Sequence, residues 1–292
     1  MTNILRAWLV QTVDQFIARR RADALVRSTL HALVDGRPTS GQALVLDRQR
    51  QTTPEHFGLA YVAGIYAECL AGAQTWDDRA PLIENAAQSY ADAMQLAKRN
   101  LIDGASTLPD LYDSRWADGL SLAERALAAA SYQLGRLRTV EFRVRDPRVG
   151  AACLHLAIER SKGYHPARYY LGEAYLLDGR FDEAERVWRD ALALIPGEPT
   201  LLTVLANLPV DRVHHAVKTE NWLDVLQELA RLSDGEMPES ERRTIEGDAY
   251  AALGHTDRAR ASWEAALRAD RLAVGVGRRL RSLARCENGG VL

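Results

Sequence analysis

The sequence predicts an all-α fold assembled from repeated antiparallel helix pairs, and three observations carry that expectation. The first is an internal repeat. Gly172 aligns with Gly247, Tyr175 with Tyr250, Gly179 with Gly254, Ala184 with Ala259, Trp188 with Trp263 and Ala191 with Ala266, always 75 residues apart. A fixed offset of this kind marks stacked supersecondary units, and the gap holds two of about 34 residues plus a short insertion. The second is the alternation of small and large residues at helical spacing inside the repeat, which lets two helix surfaces interlock. The third is composition: 292 residues, 47% hydrophobic, with only 10 Pro and 20 Gly, is enough apolar material for a large helical core and excludes a disordered chain.

Taken from the N-terminus, MTNILRAWLVQTVDQFIARRR places Ile4, Leu5, Trp8, Leu9, Val13, Phe16 and Ile17 on one stripe and Arg6, Arg19, Arg20 and Arg21 outside it. This reads as a first helix that docks on the next one, its terminal arginines suiting the C-terminal dipole. A membrane-surface helix, a transit peptide or a dimer contact would show the same pattern. DGRPTSGQ, 35–42, is a turn-rich connection, and 22–58 has room for two short helices without a clear DNA-recognition helix. HFGLAYVAGIYAECLAGAQ and RAPLIENAAQSYADAMQLAKRNL form a pair, with Ala86-x3-Tyr90 giving a small-then-aromatic step and Asp77-Asp78 placed to cap the second helix. DGASTLPDLYDSRWADG, 103–119, is long for a helix connection. Its Tyr112, Arg115 and Trp116 either cover the core or cross the binding face. SLAERALAAASYQLGRLRTVEFRVR and RVGAACLHLAIERSKG make a further pair.

The clearest unit is YYLGEAYLLDGRFDEAERVWRDALALIPG, Tyr169 to Gly197. Gly172 and Ala184 are small where the helices approach, Tyr175 and Trp188 are large where the hairpin needs filling, Gly179 ends the first helix and Pro196-Gly197 stops the second. HHAVKTENWLDVLQELARL fits a middle unit without the glycines, Trp222 standing where Phe181 does and Leu229 where Trp188 does. EGDAYAALGHTDRARASWEAALRAD is the later copy. Arg168-x2-Leu171-Gly172-x2-Tyr175, Ala184-x3-Trp188, Ala191 and Pro196 together resemble the tetratricopeptide repeat, clearly over about 165–272 and weakly upstream. In the later copy Glu246 replaces the leucine and Arg271 the proline.

The resemblance implies a right-handed superhelical solenoid whose first helices line a concave groove. The corresponding division is an N-terminal helical region (1–102), the 103–119 loop, the repeat array (120–272) and a basic C-terminal helix and tail (273–292). It also implies groove positions at Tyr169, Glu173 and Leu177, then Val210, His214 and Lys218, then Thr244, Asp248 and Ala252. The expected partner is a protein or peptide segment in that groove, a basic residue of it meeting Glu173 and Asp248 beside the Tyr169 ring. The Lys, Asn and Arg clamp that relatives use for a terminal carboxylate is not matched here.

Net charge is −2, but residues 1–50 and 271–292 each carry +4, so the body is acidic between basic ends. Such asymmetry admits self-association through the basic ends and the acidic body, while nucleic acid is not expected. Cys69, Cys153 and Cys286 are too few and too scattered for a disulfide framework; Cys69 and Cys153 read as core thiols in a cytoplasmic chain. No GxxxxGK[ST], GxSxG, HExxH or CxxC motif occurs, and His214-His215 point in different directions on a helix, so neither an enzyme, a cofactor nor a metal is expected. The expected function is a non-catalytic interaction scaffold or adaptor, with a regulatory sensor for a peptide or small ligand as the alternative.

Overall fold

The computed structural model describes residues 2–34, 39–99 and 119–287. Among them are thirteen α-helices and no strand. The chain forms two compact units, Met1–Pro196 and Gly197–Leu292. The first holds α1 (Thr2–Val34), α2 (Ser40–Thr52), α3 (Phe57–Gly72), α4 (Trp76–Lys98), α5 (Leu122–Val140), α6 (Pro147–Arg160), α7 (His165–Leu177) and α8 (Phe181–Leu194). The second holds α9 (Pro199–Lys218), α10 (Trp222–Arg231), α11 (Glu239–Ala252), α12 (Thr256–Ala269) and α13 (Val276–Glu287). Between 120 and 272 this gives four helix pairs, α5–α6, α7–α8, α9–α10 and α11–α12, of the tetratricopeptide type the repeat implied.

One device locks most of the pairs: a glycine on the first helix faces a large side chain of the second. A methyl group added to Gly172 would overlap the indole of Trp188, and one added to Gly247 would overlap that of Trp263. In the upstream pairs an added carbon would lie 2.6 Å from the Tyr90 ring at Gly64 and 2.6 Å from Leu154 Cγ at Gly135. Trp188 is 1% exposed and Trp263 5%, so both are core residues, as their repeat positions require. The Trp188 indole reaches through the gap to donate to the Tyr169 carbonyl at 3.0 Å. The middle pair, α9–α10, carries Val213 and Leu229 in the corresponding places, both buried: a smaller filler leaves room for a side chain where glycine stands elsewhere.

The turns repeat as faithfully. Gly179 and Gly254 both have positive φ, and each is followed by a backbone N–H that donates five residues back, Arg180 to Tyr175 and His255 to Tyr250, each at 2.8 Å. This is the Schellman closure of a helix end. The middle pair closes identically, with Asn221 donating to Ala216 at 3.0 Å, but the left-handed position is Glu220 at φ 54, the one non-glycine residue among those described with positive φ. A side chain there is strained. Glu220→Gly should therefore be neutral or stabilising, by up to about 1 kcal/mol after the entropy of the added glycine is counted. A thermal melt checks it, and a clear loss of stability would contradict the shared turn.

Some local expectations change. Helix α1 runs on to Val34, so Arg19, Arg20 and Arg21 lie mid-helix and not at a C-terminal dipole. It docks on α3 through Ala22 and Val26, both fully buried with Leu46, Leu59, Val62 and Tyr66; the side chains of residues 2–13 and of Phe16 lie outside the described set. Helix α4 opens at Thr75, so Asp77 and Asp78 occupy its first turn, where they suit the dipole, while the N-cap itself is Thr75. Cys153 is buried, but Cys69 is exposed on α3. The 103–119 connection, apart from Gly119, lies outside the described residues.

Candidate functional site

Because the lock glycines fix the rotation of each first helix, positions counted from them fall on a common face. Three residues before the glycine stand Tyr61, Tyr132 and Tyr169; one residue after it stand Ile65, Arg136 and Glu173. Members of each pair are four residues apart and so share a helix face. In the first unit Arg136 and Tyr132 connect consecutive first helices, whereas Tyr61 is buried against Phe57 and Tyr90. Arg136 on α5 donates to both carboxylate oxygens of Glu68 on α3, at 2.7 and 2.6 Å, and the Tyr90 hydroxyl donates to Glu68 at 2.6 Å. Tyr132 meets the edge of Tyr164 at 4.9 Å and Tyr170 on α7 at 6.0 Å, and Tyr170 lies 5.1 Å from Tyr169.

The electrostatics follow from this packing. Burial, helped by Tyr170, pushes the Tyr132 phenol from 10.0 up to about 12, against the opposing pull of Arg136 and of the hydrogen bond it accepts from Tyr164. Burial, the charge of Glu173 and a hydrogen bond to that carboxylate raise the Tyr169 phenol. Both rings stay neutral, able to donate, at physiological pH. A phenol whose folded pKa lies above its unfolded value contributes stability that is present below pH 10 and lost as pH rises through the folded value. Stability should thus fall between pH 10 and about 12, with absorbance at the tyrosinate band rising late. Tyrosine ionisation completed near pH 10 in the folded protein would contradict the cluster.

Of the expected groove residues, Tyr169 and Glu173 are half-buried neighbours on one face of α7, and Leu177 is 43% exposed one turn further on. In the second unit His214 on α9 lies 3.3 Å from Glu241 on α11, Lys218 is exposed, and Thr244 donates to the Ser240 carbonyl of its own helix at 2.7 Å. Val210 is half-buried and Ala252 exposed. Asp248 is not an open acid. Its Oδ1 accepts from the Trp263 indole at 3.0 Å and from Arg279 Nε at 2.6 Å, and its Oδ2 from Arg279 Nη2 at 2.7 Å. Replacing it by lysine would strip the partner from a buried indole, so an effect of that change on binding could not be separated from loss of packing.

Sequence reading missed Glu68, Arg136, Tyr132, Tyr164 and Tyr170 as parts of this face. The signal was present: Gly135 carries a tyrosine three residues earlier and a charge one residue later, as Gly172 does. It was hidden because Arg138 stands where Tyr175 does and Leu154 where Trp188 does, so α5 and α6 lack the aromatic residues that mark the Gly172 and Gly247 copies.

The tetratricopeptide-repeat family matches at residues 165–208 by one of its models and 243–265 by another. No curated protein matches the sequence. Among solved structures the chain is similar to a thermophilic TPR protein of Thermus thermophilus, at 16% identity over 90% of this chain and 98% of that one, with a TM-score of 0.32. It is also similar to the C-terminal part of a TPR repeat-containing protein of Cytophaga hutchinsonii, at 12% identity over 88% and 97%, with a TM-score of 0.32. The repeat is matched on both sides of the glycine-less middle pair, with the same lock and turn in each copy, so the chain carries tetratricopeptide repeats at 165–208 and 243–265.

Proposed function

We propose that this chain is a non-catalytic scaffold that holds an extended or helical segment of a partner protein on the first-helix face of its first unit. Tetratricopeptide repeats are in general protein-interaction modules, and stacked helix pairs present extended surfaces to such segments. The observation that carries the finer reading is the cluster of Tyr132, Tyr164, Tyr169 and Tyr170, which brings aromatic surface from two consecutive first helices and the segment before α7 together, outside the hairpin locks. Half-buried tyrosines offer rigid apolar area with a polar tip, the combination enriched where binding energy concentrates. The Glu68–Arg136 pair neutralises itself, and Glu173 places an acid beside the tyrosines.

Capture with the intact chain, followed by cross-linking, tests this. The captured protein should cross-link to α5 and α7, and Tyr169→Ala should weaken it by more than about 1 kcal/mol, as truncation of an interface anchor does, without lowering the melting temperature appreciably. Cross-links confined to α1 or to the 103–119 connection would move the site there.

A further inference from the structure

The corner between α12 and α13 turns apolar side chains outward. Leu272 is 85% exposed and Val274 91%, while Ala273 between them packs against the cluster of Ala259, Trp263, Ala266 and Val276. The corner is held in this form from both sides. Asp270 accepts from the Leu272 N–H at 2.9 Å, and Arg279 donates to the Val274 carbonyl at 3.4 Å while its other two nitrogens hold Asp248. The exposure is thus built into the corner by hydrogen bonds and an ion pair. Helix α13 then adds charge. Arg271 to Arg285 contains five arginines and no acid. Val276, Leu280 and Leu283 pack inward with Trp263, and at about 100° per residue Arg278, Arg281 and Arg285 fall on the opposite face, all three exposed. Arg281 Nη1 lies back along that face, 3.5 Å from where a Cβ on Gly277 would stand, so its charge is carried toward the apolar corner. Asp248 answers Arg279; the other four arginines leave an excess of positive charge around Leu272 and Val274.

We propose that this corner is a contact site for an anionic phospholipid surface, with Leu272 and Val274 entering the boundary between headgroups and acyl chains and Arg271, Arg278, Arg281 and Arg285 meeting the phosphates. It uses the second unit alone and goes beyond the scaffold reading, on which it does not depend. Apolar area and positive charge add in binding to such a surface, and here they lie side by side. A partner protein would need a fitted pocket for two aliphatic chains this exposed, whereas a bilayer interface takes them without one. Residues 268–285 hold no aromatic ring on which a nucleic-acid base could stack. Arginine also suits the lipid phosphate, which its planar fork can meet with two parallel hydrogen bonds.

Flotation of the intact chain with vesicles tests this, comparing phosphatidylcholine alone with a mixture containing about one third phosphatidylglycerol, at low and at physiological salt. The chain should float with the mixture and not with phosphatidylcholine alone. Arg278→Ser with Arg281→Ser should weaken binding at least tenfold at low salt, and Leu272→Ser with Val274→Ser by roughly tenfold at both salt concentrations. All four side chains are exposed, so the melting temperature of each double variant should match wild type. Absence of flotation at low salt, or equal binding to both kinds of vesicle, would overturn the proposal. So would binding that survives both double changes, which would place the contact on another element such as residues 1–21. Binding that needs the arginines but ignores Leu272→Ser with Val274→Ser would reduce the corner to a general attractor of anions, nucleic acid or acidic protein included, and would equally overturn the bilayer site.

Discussion

Replacing Trp188 by alanine is expected to cost about 3–5 kcal/mol, the usual toll of removing a buried aromatic. The indole is 1% exposed, fills the gap over Gly172 and donates to the Tyr169 carbonyl at 3.0 Å. With no Cβ at Gly172, the facing helix has no side chain that could turn inward to close the void. Trp263 stands in the same relation to Gly247 and donates to Asp248, so its truncation should also loosen the hold on Arg279. Urea unfolding of both variants measures this. Because the Trp188 indole lies under Tyr169, any loss of partner binding in Trp188→Ala should accompany a lower melting temperature. An unchanged melting temperature with binding abolished would make Trp188 a contact residue and the assignment backwards.

The second large effect has a sign that propensity alone gets wrong. In an exposed helix interior Gly→Ala stabilises by about 1 kcal/mol. Gly172→Ala should instead destabilise by about 1–3 kcal/mol, because the methyl overlaps the indole and forces either tryptophan or the helix to shift. The glycine-less pair points to the compensating change, since Val213 coexists there with Leu229. Gly172→Ala combined with Trp188→Leu should cost less than the two single changes added together, a coupling of about 0.5–3 kcal/mol expected of residues in direct contact. Strict additivity in a double-mutant cycle would contradict the lock.

How much of this was legible depended on whether one residue or two carried the signal. The hairpins were readable because glycine and tryptophan recur at fixed spacing. The Glu246 that breaks the motif is readable only with its partner: Glu246 accepts from Ser262 at 3.1 Å and Arg243 at 2.9 Å, where the first copy has Leu171 and Val187, so an apolar contact has become polar on both sides at once. The end of α1 was misplaced because the arginines at 19–21 look like a terminus when the buried Ala22 and Val26 beyond them are not yet known to face α3. Asp248 read as an open acid because Arg279, 31 residues later on a different helix, leaves no local trace. The same holds for Glu68 and Arg136, 68 residues apart. Pairs that close between helices depend on the packing angle, and no periodicity in one helix reports it.

Whether the tyrosine face of α5 and α7 binds the partner segment is decided by calorimetry of the captured segment with wild type and with Tyr169→Ala, at low and high salt. Affinity should fall at least fivefold in Tyr169→Ala at both salt concentrations, with an unchanged melting temperature, and a further salt-sensitive loss should follow Glu173→Lys. Equal affinity for wild type and both variants at both salt concentrations would refute binding at this face.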